Sequence, residues 1–169
     1  MIVIGTARLK LRRLCAEDAQ FIQRLLNDPG WLRFISDRGV RTIDDARSYL
    51  LNGPIAMYAR HGFGLYLTER KSDGVPIGMC GLIKRDGLDD VDIGFAFLPE
   101  FYGVGYAREA AAATMAYGRR TLCLTRIVGI TSQDNERSIK LLEKIGLRFE
   151  RLMRLPKDDE EIMLFAWDA

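Results

Sequence analysis

The chain has little of what metal and redox chemistry is built from. It holds one histidine, His61, and three cysteines, Cys15, Cys80 and Cys123, with no Cys-x-x-Cys pair among them. No zinc site is spelled out, and no metal is expected. The neighbours Leu14, Met79 and Leu122 mark the cysteines as small buried hydrophobes. His61, between Arg60 and Gly62, reads as a loop or strand-edge residue rather than a base. Neither sign of charge is in excess: 25 Lys and Arg stand against 23 Asp and Glu, a formal net charge of +2. That balance excludes the phosphate neutralisation on which nucleic-acid binding rests. No apolar run approaches the ~20 residues of a membrane span, and the opening one, Met1 to Ile4, stops at Gly5 and Thr6. The expectation is a cytoplasmic protein with neither nucleic acid nor membrane as a partner. Repeats, low-complexity tracts and linkers are also missing, so the 169 residues, 48% hydrophobic and 28% charged, read as one domain, 1–169.

What is there alternates in a readable order. In TARLKLRR, Thr6 to Arg13, the apolar Ala7, Leu9 and Leu11 interleave with Arg8, Lys10 and Arg12, the period of a half-buried strand. Phe21, Ile22, Leu25 and Leu26 give helical spacing over Ala16 to Asn27, stopped by Asp28-Pro29-Gly30. An irregular arm follows. Thr42, ahead of Asp44 and Asp45, caps a second helix that runs to Asn52 before Gly53-Pro54. Three extended runs, Gly64 to Arg70, Val75 to Lys84 and Asp90 to Leu98, are separated by the turns Ser72-Asp73-Gly74 and Arg85-Asp86-Gly87 and predict an antiparallel meander. A helix from Gly105 to Arg120, a strand from Thr125 to Thr131, a helix from Asn135 to Ile145 closed by Gly146, and two final strands joined through Lys157 to Glu160 complete the chain. The strand-helix-strand crossover from Asp90 to Thr131 implies one parallel pair in an otherwise antiparallel, mixed sheet.

The stretch FYGVGYARE, Phe101 to Glu109, places two glycines where that strand enters that helix. The first amides of a helix have no intrahelical partner and sit at the positive end of its dipole, so a bare turn leaves them open to an anion such as phosphate. Asp92, Gly94, Ala96 and Leu98 make one face of the preceding strand, small in its middle, so that something could lie against it. A P-loop string is absent, and the dinucleotide fingerprint fails because its sixth position, counted from Gly103, is Arg108.

The remaining pattern, x-x-Gly-x-[Gly/Ala] at Tyr102 to Ala107, resembles motif A of the GCN5-related N-acetyltransferases. TARLKLRRL is similar to the opening of that family's RimJ and RimL branch, and VDIGFAFLPEFYGVGYARE to its strand-to-helix signature. NERSIKLLEKIGLRFE, Asn135 to Glu150, resembles its Asn-x-x-Ser helix. The resemblance implies an α/β (α+β) three-layer fold whose mixed, mostly antiparallel sheet has about seven strands and helices on both faces. It implies acetyl-CoA as cosubstrate, held by Phe97, Leu98, Tyr102, Gly103, Val104, Gly105, Tyr106, Ala107, Arg108 and Asn135, and an amine acceptor, in a monomer or homodimer. Tyr102 stands where relatives often carry Arg or Gln, so phosphate binding falls to amides. Leu142 stands where many carry a tyrosine that protonates the leaving thiolate, and Ser138 is the branch's alternative near the sulfur.

The implied reaction is direct attack of an amine on the acetyl thioester within a ternary complex. Asp92 and Glu100 are the base candidates, directly or through water; the plain readings are a hairpin residue and a solvated first-turn acid. Asn135 reads as a helix cap that also meets the cofactor, and Ser138 equally as a first-turn residue. An α-amine is roughly a tenth neutral at pH 7 and a lysine far less, so a chain without an unmistakable base suits the α-amine of a peptide or protein, or a small amine. In the arm from Asp28 to Arg47 the acids Asp28, Asp37, Asp44 and Asp45 match Arg33, Arg38, Arg41 and Arg47, which argues against a pocket for polycations. Trp31 and Phe34 either line the acceptor cleft or anchor packing. A non-catalytic acyl-CoA-binding sensor or interaction domain is the alternative, since the tyrosine role is vacant.

Overall fold

The computed structural model describes residues 2–169. Its strands are β1 (Ile2–Gly5), β2 (Leu9–Arg13), β3 (Leu65–Arg70), β4 (Pro76–Ile83), β5 (Asp92–Phe97), β6 (Arg126–Ser132), β7 (Arg148–Met153) and β8 (Ile162–Asp168). The helices are α1 (Ala19–Leu26), α2 (Pro29–Phe34), α3 (Ile43–Leu50), α4 (Ala56–His61), α5 (Tyr106–Arg120) and α6 (Glu136–Lys144). All eight strands join one sheet in the order β1-β2-β3-β4-β5-β6-β8-β7, one strand more than the expected seven. The extra strand is the opening apolar run: Ile4 is buried, and β1 pairs antiparallel with β2. Every neighbouring pair is antiparallel except β5 and β6, the expected parallel pair.

Alternation along the central strands feeds two cores. Tyr66, Cys80, Leu82, Ile93 and Phe97 pack with Ala110, Ala111 and Met115 of α5 and Leu142 of α6. Leu67, Met79 and Leu98 pack with Ile22, Leu25 and Leu26 of α1, Trp31 of α2, and Ala46 and Leu50 of α3. Helices therefore cover both faces, with α1 to α3 on one and α5 on the other.

Several expectations need correction. The first long strand begins at Leu9, because Thr6 to Arg8 form a turn closed by Thr6 N donating to the Leu9 carbonyl at 2.9 Å. The irregular arm holds α2, capped by Asp28, whose Oδ2 accepts from Gly30 N at 3.0 Å, with Pro29 in its first turn. Gly53-Pro54 does not end the second helix. Pro54 lies in a π-turn, Leu51–Ile55, whose wider coil accommodates a residue without an N–H, and the helix continues through α4. Gly62, at φ +79, stops it. His61 is thus the last residue of a helix, beside the ring of Phe63. Of the cysteines only Cys80 is buried; Cys15 and Cys123 are exposed.

Candidate active site

The parallel pair is where the sheet opens. Six residues of β4 are in register with β5 and seven of β6 with β8, whereas β5 and β6 are in register only at Asp92 and Val128. Val128 N donates to the Val91 carbonyl at 3.0 Å, and beyond that point the two strands part. Leu98 N donates to the Ile77 carbonyl of the β4 side at 3.0 Å. Alternation then turns the amides of Phe95 and Phe97 the other way, into the gap. A cleft of about 910 Å³ runs through this gap, lined by Phe95 and Phe97 on one wall and Ile130 and Ser132 on the other.

The glycine turn lies at the mouth of the gap. Phe101 N and Tyr102 N donate to the Leu98 and Pro99 carbonyls, both at 3.0 Å, folding the chain back after β5. Gly103 and Gly105 then take φ of +84 and +86, the left-handed region in which a Cβ is costly. Gly105 is the N-cap of α5; no side chain caps it, and the first carbonyl-amide bond of the helix is Glu109 N to Gly105 O at 3.0 Å. The amides that open α5 are left facing outward.

A strut from the β1-β2 turn holds this junction in place. Arg8 Nη1 donates to the Val104 carbonyl at 2.9 Å, Arg8 Nε to Glu109 Oε2 at 2.7 Å, and the guanidinium sits 4.5 Å from the centroid of the Tyr106 ring. Glu109 Oε1 also accepts from Arg8 N at 2.8 Å and from Thr6 Oγ1 at 2.7 Å. Partial burial pushes the Glu109 carboxyl up, but these donors outweigh it and hold it below the usual carboxylate range. Two stretches far apart in the chain, Thr6 to Arg8 and Val104 to Glu109, thus form one piece of structure.

On the opposite bank, Asn135 caps α6 as expected, its Oδ1 accepting from Ser138 N at 3.3 Å. Arg137, Lys140 and Lys144 line the cleft from the same helix, and the Arg137 guanidinium lies 4.1 Å from the Tyr102 ring centroid. Burial, then Asp28, raises the Tyr102 phenol, while Arg137 opposes them.

Of the predicted site residues, Asp92, Phe97, Tyr102, Gly103, Gly105, Tyr106, Ala107, Arg108, Asn135 and Ser138 all line the cleft. Three are not brought to it. Leu98 is buried in the α1-α3 core, with its amide committed to Ile77 and its carbonyl to Phe101 N. The Val104 carbonyl is taken by Arg8. Glu100 is exposed and paired with Arg24. Asp92 is fully buried, and both its oxygens are bound by Arg85, from Nε and Nη2, at 3.0 Å each. Burial is the larger influence on that carboxyl and pushes it up; the Arg85 charge pulls it back.

Trp31 and Phe34 both line the cleft, and Trp31 is also a buried core residue, so the two readings of it hold together. Trp31 Nε1 and Ser132 Oγ are buried with no partner among the described residues. Sequence reasoning missed Arg85, Tyr49 and Ser132 as lining residues, as well as the Arg8-Glu109 strut. Arg137, Lys140 and Lys144 carried a usable signal, since spacings of three and four share one helix face. Among the described residues no group of three metal-ligating side chains occurs, and no helix is long and apolar enough to cross a membrane.

A parallel pair in register only at the start of β5, with an uncapped glycine turn at its mouth, makes a cleft suited to an anionic ligand. A family model described as an acetyltransferase (GNAT) domain matches residues 8–148. The chain belongs to the GNAT acetyltransferase family. YnaD of Bacillus subtilis (strain 168), named an uncharacterized N-acetyltransferase, is 29% identical over 159 residues, covering 93% of this chain and 90% of the relative. The GNAT-family acetyltransferase structure from Bacillus anthracis superposes with a TM-score of 0.81 at 25% identity, covering 99% of this chain and 98% of that one. RimL, a ribosomal L7/L12 alpha-N-protein acetyltransferase solved with coenzyme A, shares the fold with a TM-score of 0.84 at 19% identity, covering 99% and 98%. The protein is thus an acetyltransferase of the GNAT family, and its fold is that of RimL.

Proposed function

We propose that the protein transfers the acetyl group of acetyl-CoA to a primary amine, either an α-amine or a small amine, by direct attack in a ternary complex. The observation that carries this is the sheet gap between β5 and β6 with the uncapped α5 terminus at its mouth. The cosubstrate fits the residues present. A Cβ at Gly103 would meet nothing within 4 Å, so the turn has open space for a diphosphate beside the first α5 amides. Charge-assisted bonds of this kind contribute ~1.5–3 kcal/mol each. Arg108, Arg137, Lys140 and Lys144 supply cations for the phosphates, and the Phe95 and Phe97 amides serve the pantetheine arm and the carbonyl.

Acetyl-CoA supplies an activated thioester carbonyl to the amine nitrogen; a C–N bond forms, the C–S bond breaks, and the thiolate leaves as the thiol after taking a proton. The chain's contribution is positioning and polarisation, with a Phe95 or Phe97 amide aimed at the carbonyl oxygen. Neither carboxylate candidate is free for base work: Glu100 is turned away and paired, and Asp92 is saturated by Arg85. The ammonium proton of the acceptor accordingly passes to water, which suits an α-amine, roughly a tenth neutral at pH 7. Ser138 on the cleft wall is the hydroxyl we assign to relaying a proton to the leaving thiolate, regaining one from water, which takes up the proton lost by the acceptor nitrogen. The test is transfer of label from [acetyl-14C]acetyl-CoA to a panel of peptides and small amines. Labelled amide product supports the reading, and cofactor binding without product refutes it.

A further inference from the structure

The acceptor end of the cleft has a feature the acetyl-transfer chemistry does not use. Arg85 leaves the β4-β5 turn, and its guanidinium meets Asp92 at the start of β5. Asp92 clamps it through Nε and Nη2 alone. Its Nη1 edge makes no bond with any described residue, and the side chain is 29% exposed, at the cleft wall. A buried carboxylate spent on fixing an arginine holds a planar donor edge in one orientation, the geometry that recognises an oxyanion. Arg38 lines the same cleft from the arm after α2 and has no ion pair among the described residues. Tyr49, next to last in α3, lines the same cleft, with its phenol in the field of both guanidinium groups.

These two cations are separate from the set that serves the phosphates of acetyl-CoA. Arg108 belongs to the α5 mouth, and Arg137, Lys140 and Lys144 to α6. The acidic groups on the same wall do not cancel them. Asp92 is consumed by Arg85, and Asp28 caps α2 through Oδ2. Asp158 and Glu160, on the β7-β8 connection, are exposed at the rim, where they meet an incoming ammonium rather than the floor. Beside them the cleft is lined by Gly94 and Ala96, with Ile83 and Leu65 packed over Gly94, and by Trp31 and Phe34. Three residue steps along the strand take Asp92 to Phe95, about 10 Å, so the anion site and the Phe95 amide are spanned by a compact molecule.

We infer that the acceptor is a small primary amine carrying a carboxylate or phosphoryl group, received by the free edge of Arg85 and by Arg38 beside the Tyr49 hydroxyl. This rests on the acetyl-transfer reading above and narrows its substrate. The rim carboxylates take the ammonium first, and the amine is released toward the thioester once the anion is seated.

The experiment compares kcat/KM for matched probes on the full chain with acetyl-CoA: each common L-amino acid against its primary carboxamide, 2-aminoethyl phosphate against ethanolamine, and a blocked peptide with a free N-terminal serine. Rates are compared at equal concentrations of neutral amine, because an amide lowers its own amine pKa. The expected result is a preference of about tenfold or more for the anionic member of the best pair, the worth of one charged hydrogen bond. That ratio should fall toward one in Arg38→Gln and in Arg85→Lys, which keeps a charge opposite Asp92 but loses the fork. A structural role alone would lower both members equally and leave the ratio unchanged. Carboxylate and phosphate arms separate the two anion classes. Acetylation without preference, faster acetylation of the peptide or the amides, or a preference that survives both substitutions would overturn the inference and leave the acetyl-transfer reading standing. Absence of any acetylated product would remove both, and is told apart by the lack of turnover.

Discussion

A side chain at Gly105 would meet strain rather than crowding. Its Cβ would lie 3.4 Å from Arg8 Nη2 and touch little else, but the residue holds φ +86. For an L-residue that conformation costs about 1–2 kcal/mol, and a β-branched one relaxes by moving the turn. Gly105→Val should therefore lower the melting temperature modestly while weakening CoA about tenfold or more, as amides leave the anion site. Thermal denaturation with and without CoA separates the two effects, and an unchanged CoA affinity would contradict the role given to the turn. Asp92 provides a second residue-scale prediction. If it orients Arg85 and takes no proton, Asp92→Asn should cost about 1–3 kcal/mol of stability and reduce activity without changing the shape of the kcat/KM profile. That profile should climb through the acceptor amine's own pKa, near 7.7–8.0 for an α-amine. Loss of an acidic limb in the variant would make Asp92 the base after all. At this scale the glycines were legible in the sequence, because positive φ selects for them. The Asp92-Arg85 pair was not: Arg85-Asp86-Gly87 reads as turn chemistry, and only the fold brings Arg85 to Asp92. Cys15 and Cys123 misled for the same reason, since a leucine neighbour does not determine which way a side chain faces.

At the scale of elements, the β1-β2 turn and the start of α5 act as one unit through Glu109. Glu109→Gln keeps the shape but weakens three bonds to Thr6 and Arg8, so KM for acetyl-CoA should rise several-fold while kcat changes little. The pH dependence follows from the depressed carboxyl. A group whose folded pKa is below its unfolded value near 4.3 contributes stability above that value and loses it as pH falls through the folded pKa. The wild type should therefore lose more stability than Glu109→Gln on acidification below about pH 4.5, as read by urea unfolding at stepped pH. The α6 helix supports a different prediction. Leu142 is buried in the main core, and its Cδ2 would lie 2.6 Å from a Cβ placed on Gly129. Leu142→Tyr, which writes the relatives' tyrosine back, should overpack that contact and cost about 1–3 kcal/mol without raising activity. A faster, equally stable variant would show that the position can host an acid. Helix and strand order came through in the sequence because periodicity is local. What stayed hidden were features set by long-range packing: β1 needs β2 beside it, Pro54 needs a π-turn, and α2 is too short to show a period.

At the scale of the molecule, three stretches that resemble family motifs meet around one opening in the sheet. TARLKLRR supplies the strut, FYGVGYARE the uncapped glycine turn, and the Asn135 helix the facing bank. The mixed sheet was legible from element order and the crossover rule, and the helices on both faces only through the family resemblance. The gap itself was not, because a parallel pair in register at one point looks in sequence like any other pair. The end of the cleft proposed for the acceptor was the least legible part, since it is assembled from α2, α3, the β4-β5 turn and the β7-β8 connection, none of which carries a motif.

The most direct test of the central claim is a crystal structure of the chain with acetyl-CoA. The account predicts the diphosphate within hydrogen-bond distance of the main-chain amides between Gly103 and Arg108, with the thioester between β5 and β6 beside Phe95 and Phe97. A nucleotide bound elsewhere, or a diphosphate held only by the α6 side chains with the α5 amides turned away, would contradict it.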